Sequence, residues 1–207
     1  MKKSKSATID TRKRIVAAAT RMFLEHGLAD TGIASIMAAA GLTQGGFYRH
    51  FRSKEHLIVE ASNAAHDRLR GLFNEAIHGK PAAEGLDIAV DLYLSQSEQQ
   101  GCEAVCPLPS LGSELGRADQ QVRDAAMGGY QRLVQFFAGL ADQAGYAEPA
   151  RLADAIVSTM VGAVMLARLA AGPAPAASVL RNARQTIRLM LRAPGGEKWL
   201  EFYRLSM

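Results

Sequence analysis

The residues best suited to chemistry lie in one stretch, GLTQGGFYRHFRSK, residues 41–54. It brings together an amide, a phenol, a guanidinium and an imidazole, which belong to Gln44, Tyr48, Arg49 and His50. Such groups are poor core material, but they hydrogen-bond well to the base edges and phosphates of a nucleic-acid groove. The stretch therefore predicts a surface that binds in a polar groove.

These side chains need a short helix to hold them. Gly41 can adopt the left-handed conformation that ends a preceding helix, and Thr43 is a good N-cap for the next one. That next helix is barely two turns long, and the two glycines at 45–46 each cost about 1 kcal/mol relative to alanine. Phe47 and Phe51 are four residues apart and so face inward together, which leaves the polar groups on the outer side.

Charge is divided unevenly along the chain. The net charge is +4, yet residues 1–54 carry ten Lys/Arg against three Asp/Glu, a net +7. Residues 55–207 hold the remaining 14 basic and 17 acidic side chains, a net −3. A basic head on a slightly acidic body is typical of a polyanion-binding module joined to a second function.

Length and composition favour an all-α chain with one large domain or two small ones. The hydrophobic share of 48% is ample for a core, and the Ala-rich and Leu-rich runs favour helix over sheet. We find no apolar run of 18 residues free of charges and breaks, and the basic start leads into no apolar signal core. We therefore expect a cytoplasmic protein with no membrane span. Two cysteines argue against a disulfide framework.

From about Thr11 to Leu57 the sequence resembles the helix-turn-helix domain of the TetR family of bacterial transcriptional repressors. The matching pieces are RIVAAATRMFLEHG, then TGIASI from Thr31, AGLT from Ala40, GFYRHF from Gly46, and SKE from Ser53. Gly32 stands where the family usually has a hydroxyl, and Ser35 where it has an acid. We therefore expect a more weakly capped start for the second helix.

The resemblance implies an all-α fold with two parts. Residues 1–54 form a three-helix helix-turn-helix DNA-binding domain with a basic N-terminal arm, and residues 55–207 form a larger helical effector-binding and dimerisation domain. The arm spans residues 1–10, and Asp10 or Thr11 caps the first helix. The predicted DNA-binding residues are Thr31, Thr43, Gln44, Gly45, Gly46, Tyr48, Arg49, His50 and Lys54.

Two of these residues have structural alternatives. Tyr48 can serve as a half-buried packing ring, and His50 can make a structural hydrogen bond. Gln44 is placed to read a base edge, whereas Tyr48, His50 and Lys54 match family positions that contact the DNA backbone.

The function implied is that of a ligand-responsive regulator, expected to be a repressor, that releases operator DNA when a small molecule binds. Helices near 150–171 and 175–193 look like the pair that forms the family's homodimer. The effector is expected to be apolar or aromatic, although each lining candidate could equally belong to the core. These candidates are Tyr93, Cys102, Cys106, Met127, Tyr130, Phe137, Met160 and Met165.

Cys102 and Cys106 leave a second hypothesis open, a repressor that senses oxidants or electrophiles through a thiol. The nearest charges, Glu98 and Glu103, would raise a thiol pKa rather than lower it, so ordinary packing is the simpler interpretation. A zinc site would lack further ligands nearby.

An enzyme is the remote alternative, with a cysteine as nucleophile and His66 or His78 as base. No spacing or catalytic motif supports it. The sequence thus predicts no catalytic site, no metal site and no cofactor.

Overall fold

The computed structural model describes residues 5–95 and 106–192, and these ranges contain helices and no strand. The elements are α1 (Lys5–His26), α2 (Ile33–Ala39), a short 3-10 helix (Gln44–Arg49), α3 (Lys54–Ala76), α4 (Ala82–Ser95), α5 (Pro107–Leu115), α6 (Gln120–Gln143), α7 (Pro149–Leu169) and α8 (Pro173–Arg192). The all-α fold class is confirmed. Cys102 lies outside the described residues.

Contacts divide the chain into two compact units. The head unit comprises Met1–Leu69 and Gly101–Gly129, and the body unit comprises Arg70–Gln100 and Tyr130–Met207. Helices α3 and α6 each begin in the head unit and end in the body unit. The functional boundary at residue 54 concerns which residues bind DNA, and it stays a prediction.

The head unit has one apolar core built from all of its helices. Its largest buried side chains come from α1, α2, the 3-10 helix and the start of α3, and α5 adds two leucines. They are Ile15, Phe23, Ile36, Met37, Phe47, Phe51, Leu57, Leu111 and Leu115. Helix α5 therefore belongs to the same core as α1, α2, the 3-10 helix and the start of α3.

The first helix starts earlier than the sequence suggested. It begins at Lys5, so the prediction of a cap at Asp10 or Thr11 was wrong, and residues 5–10 are not an extended arm. The stretch KSATID contains neither Gly nor Pro to stop a helix. The Thr11 hydroxyl donates instead to the Ala7 carbonyl at 2.7 Å, the pattern of a threonine inside a helix.

Helix α3 is capped by a side chain at its start. The His56 N–H donates to Ser53 Oγ at 3.2 Å, which satisfies one of the open amides at the start of α3. The Glu55 carboxylate accepts its own backbone N–H and the Ser53 hydroxyl and lies near the Lys54 ammonium, and these contacts lower the pKa of Glu55.

The body unit is a helical bundle in which α7 packs against α8 and both pack against α4. Three aromatic rings, Phe73, Phe136 and Phe137, lie with centroids 5.1 to 5.8 Å apart. At the surface, Arg184 Nε of α8 donates to Asp91 Oδ1 of α4 at 2.6 Å. These contacts fix the relative positions of the body helices.

Helix α7 alone among the described helices is long and apolar enough to cross a membrane, with a mean hydropathy of 1.6 over its best window. One such helix is weak evidence for a membrane span, because core helices of soluble proteins have the same composition. Seven of its residues are buried within the body unit: Ala153, Ile156, Val157, Met160, Ala163, Val164 and Ala167.

Candidate nucleic-acid interface

Around the 3-10 helix, the phenylalanine rings and the polar side chains lie on opposite sides. Phe47 and Phe51 are buried and stack with ring centroids 5.6 Å apart. Tyr48 meets the edge of Phe47 at 5.2 Å, yet 72% of its surface is exposed, so it is not a half-buried packing ring. Gln44 and Arg49 are exposed beside it. An amide, a phenol and a guanidinium therefore project from a rigid aromatic base.

The backbone of this segment is tighter than an ordinary α-helix. The Gly46 N–H donates to the Thr43 carbonyl at 3.1 Å and the His50 N–H to the Phe47 carbonyl at 2.9 Å, both three-residue spans. Thr43 takes the N-cap position, but its hydroxyl makes no capping bond within the described part of the chain. Gly41 adopts the left-handed conformation expected of it, with φ of +68°.

The surroundings of the two glycines differ: Gly45 has open space beside it, and Gly46 faces the buried Met37. A Cβ added at Gly45 would meet no atom of the described residues within 4 Å, and one at Gly46 would meet only Met37 Cε at 3.5 Å. Packing within the head unit therefore does not require glycine at either position.

A charged network holds the far end of the 3-10 helix. The Arg12 guanidinium of α1 donates to the His50 carbonyl and to both carboxylate oxygens of Glu60 on α3. It also lies 4.3 Å from the Phe51 ring centroid, and His56 Nε2 is 3.0 Å from Glu60 Oε1. Arg12 thus links the end of the 3-10 helix to α3, a role that the sequence did not reveal because its partner Glu60 is 48 residues away.

Two predicted contacts are engaged inside the fold. The Thr31 side chain is 1% exposed, and its hydroxyl donates to the Gly27 carbonyl at 2.7 Å and lies 3.2 Å from the Met22 carbonyl. Lys54 Nζ donates to the Leu28 carbonyl at 2.5 Å. Thr31 therefore supports the start of α2 from within, and Lys54 is tied to the α1–α2 turn. His50 is half-buried.

The head unit also carries a basic cleft of about 780 Å³ between α1, the end of α2 and α3. Alanines line much of it, and its cationic residues are Arg12, Lys13, Arg14, Arg21 and Arg68. Among the lining residues Glu60 is the one carboxylate, and it is bound by Arg12. The positive potential of the head is therefore not confined to the recognition segment.

The predicted pocket residues are divided between the two units. In the body unit Tyr93, Phe137 and Met160 are buried, and Met165 is exposed. The Tyr130 hydroxyl lies 2.7 Å from Asp154 Oδ1 and 2.8 Å from Ser158 Oγ, and burial raises the pKa of Tyr130. In the head unit Cys106 is buried just before α5, and Met127 is exposed.

No group of three or more His, Cys, Asp or Glu within residues 5–95 and 106–192 is placed to hold a metal ion. The described residues thus concentrate their candidate chemistry on the polar face of the 3-10 helix.

Family models match both the N-terminal and the C-terminal parts of the chain. A family model for bacterial regulatory proteins of the tetR family matches residues 15–61, and one for the tetracyclin repressor-like C-terminal domain matches residues 82–183. The chain belongs to the TetR family. It is a DNA-binding transcriptional regulator with an N-terminal helix-turn-helix, as the resemblance implied.

Known TetR-family proteins match this chain over most of its length. The HTH-type transcriptional regulator LmrA of Bacillus subtilis is 28% identical over 171 residues, covering 80% of this chain and 90% of LmrA. A TetR regulator structure from Chloroflexus aurantiacus is 28% identical, with a TM-score of 0.76 over 91% of this chain and 98% of that one. The reduced form of Escherichia coli NemR shares the fold at 20% identity, with a TM-score of 0.74 over 86% and 95% of the two chains.

Proposed function

We propose that this protein is a homodimeric, ligand-responsive repressor that reads operator DNA through its 3-10 helix and releases it when a small molecule binds the body. The observation that carries the proposal is the exposed face of Gln44, Tyr48 and Arg49 over the buried pair Phe47 and Phe51. Such a regulator acts in the cytoplasm.

In the proposed complex the 3-10 helix enters the major groove. The Gln44 amide reaches a base edge, where it can make two hydrogen bonds to adenine. The Tyr48 hydroxyl and the Arg49 guanidinium contact phosphates, which supply affinity and register rather than sequence preference. Gly45 lets the backbone approach closely, since nothing in the described fold occupies that space.

Dimerisation is proposed through α7 and α8. One head buries too little surface for tight and selective binding, and operators of this kind are read by two-fold dimers. On α7, Met165, Leu166 and Leu169 are exposed, and α8 adds exposed Leu189. Exposed apolar side chains grouped on one helix, as Met165, Leu166 and Leu169 are, are typical of a protein interface.

The effector is proposed to act by favouring a dimer whose heads are wrongly spaced for successive major grooves. Its leverage equals its differential affinity for the two spacings. The body contributes Tyr93, Tyr130, Phe137 and Met160, whose aromatic and thioether groups suit an apolar or aromatic molecule.

The test is selection of bound sequences from a random duplex pool, followed by a salt titration of the best one. A palindrome bound by a dimer, with affinity falling steeply as salt rises, is the expected result. Recovery of no preferred sequence by a preparation free of bound small molecules, checked by native mass spectrometry, would contradict operator recognition. With the palindrome in hand, apolar and aromatic compounds are screened for release of the DNA.

A further inference from the structure

One peptide group in the turn between α1 and α2 is bound at both ends by side chains from distant helices. The Ala29 N–H donates to Glu114 Oε2 of α5 at 2.7 Å, and Lys54 Nζ of α3 donates to the Leu28 carbonyl at 2.5 Å. The Leu28 carbonyl and the Ala29 N–H belong to the same planar peptide. A carboxylate and an ammonium thus bind its opposite ends, and all of these residues lie in the head unit.

The turn is shaped to receive the carboxylate. Gly27 ends α1 with φ of +84°, and a Cβ there would lie 2.6 Å from Glu114 Oε1. The backbone conformation therefore requires glycine, and a side chain at this position would also displace the Glu114 carboxylate. On α5, Leu111 and Leu115 are buried in the head core on either side of Glu114. The α5 backbone at Glu114 is consequently held in place by packing.

The two hydrogen bonds support each other. A carboxylate on the N–H and an ammonium on the carbonyl polarise the same amide in the same direction, so each bond strengthens the other. Thr31 closes the turn by donating to the Gly27 carbonyl at 2.7 Å, and α2 begins two residues later. Helix α2 in turn packs against the 3-10 helix.

We propose that Glu114 is a positioning residue for DNA binding, which holds the Leu28–Ala29 peptide and through it the Lys54 ammonium at the duplex surface. The inference rests on the proposed operator binding and on the contact with the DNA backbone that the family resemblance implies for Lys54. Glu114 itself touches no DNA.

If only charge mattered, removing Glu114 would have the opposite effect on DNA affinity from the one that this proposal expects. Removing a carboxylate from a polyanion-binding unit strengthens its electrostatic attraction to DNA. A loss of affinity on removing Glu114 would therefore have to come from geometry, which gives the experiment a sign that separates the two explanations.

The experiment compares Glu114→Met, which keeps the length of the side chain but has no carboxylate, with Glu114→Gln, whose amide oxygen still accepts the Ala29 N–H. Glu25→Met is the matched control, because it removes one exposed carboxylate from α1 beside the same turn. Affinity is measured by fluorescence anisotropy at several salt concentrations, on the selected duplex and on a random-sequence duplex.

We expect Glu114→Met to weaken binding to both duplexes by about tenfold. The slope of log affinity against log salt should fall in magnitude by about one, as for the loss of a single phosphate contact. Glu114→Gln should stay within about twofold of wild type. Glu25→Met should bind as well as wild type or better. Unchanged or tighter binding by Glu114→Met, or equal loss in Glu114→Gln, would overturn the proposal.

The variant Lys54→Ala tests whether Glu114 acts on DNA binding through Lys54. The double variant Lys54→Ala with Glu114→Met should bind like Lys54→Ala alone, because both substitutions remove the same phosphate contact. An additive further loss of affinity would show that Glu114 does not act through the Leu28–Ala29 peptide and Lys54. If Lys54→Ala leaves affinity and salt slope unchanged while wild type still selects an operator, this inference fails and operator recognition stands.

A measurement without DNA tests the hydrogen bond itself. Amide hydrogen exchange followed by NMR should show faster exchange at Ala29 in Glu114→Met than in Glu114→Gln, with the core amides of α1 unchanged. Equal protection of Ala29 in the two variants would overturn the proposal.

Discussion

The head and body units use their exposed surfaces in opposite ways. The head exposes polar groups above buried rings, as Tyr48 does above Phe47, and holds them with charged hydrogen bonds to backbone carbonyls. The body groups exposed aliphatic side chains on α7, with Leu166 at 57% and Leu169 at 73%. The difference suits a head that binds a hydrated polyanion and a body that binds apolar partners.

The strongest way to break this comparison is to make the body surface polar. Leu166→Glu combined with Leu169→Glu should shift the proposed dimer to monomer and weaken operator binding by about a hundredfold or more, because each half-site would then bind alone. Sedimentation velocity and anisotropy measure the two effects.

The control for that prediction is Ala150→Glu, which adds a carboxylate at an exposed position in the first turn of α7. It should remain dimeric. A double variant that stays dimeric with wild-type affinity would place the interface elsewhere.

The head is next. Tyr48→Ala should weaken binding to all duplexes by about tenfold, a loss of roughly one hydrogen bond to a charged phosphate. Its melting temperature should stay near wild type, since the ring is 72% exposed. A large drop in melting temperature would instead make Tyr48 a packing residue.

Gln44→Ala separates readout from affinity in the same segment. It should relax preference at one base position by about 1–3 kcal/mol and leave the other positions unchanged. Repeating the selection with the variant measures this directly, and an identical recovered palindrome would remove Gln44 from base recognition.

The sequence predicted the head well and the body less well, for a physical reason. In the head, Gly41, the pair Phe47 and Phe51 and the Ser53 cap act over a few residues, so their spacing carries the signal. The sequence analysis did not predict that this segment forms a 3-10 helix rather than an α-helix. The 3-10 form is consistent with the low α-helical propensity of two adjacent glycines.

Contacts between distant residues carried no such signal. Arg12 binds Glu60 across 48 residues, and Glu114 binds the Ala29 amide across 85. In the body, Met160 and Met165 are five residues apart on α7 and so lie on different faces, one buried and the other exposed. Pocket residues chosen by type alone therefore mix core and surface positions.

A further prediction compares a networked ion pair with a surface pair. Arg12→Met removes the bonds to the His50 carbonyl and Glu60, and should lower the free energy of unfolding by about 1–3 kcal/mol. Arg151→Met breaks the exposed pair with Glu148 at 3.5 Å on α7 and should cost less than about 0.5 kcal/mol. Denaturant unfolding measures both, and equal losses would mean that the network adds no stability.

The smallest effect expected is a pH dependence at the start of α3. Because hydrogen bonds from its own backbone N–H and from Ser53 lower the pKa of Glu55 in the folded chain, its contribution to stability is present above the unfolded pKa. That contribution is lost as the pH falls through the folded pKa. Glu55→Gln should therefore reduce the loss of stability on acidification below about pH 4.5, the model-peptide range for glutamate. Ser53→Ala should produce part of the same change, since it removes one of the two bonds, and an unaltered acid slope in both variants would show that this cap does not couple folding to pH.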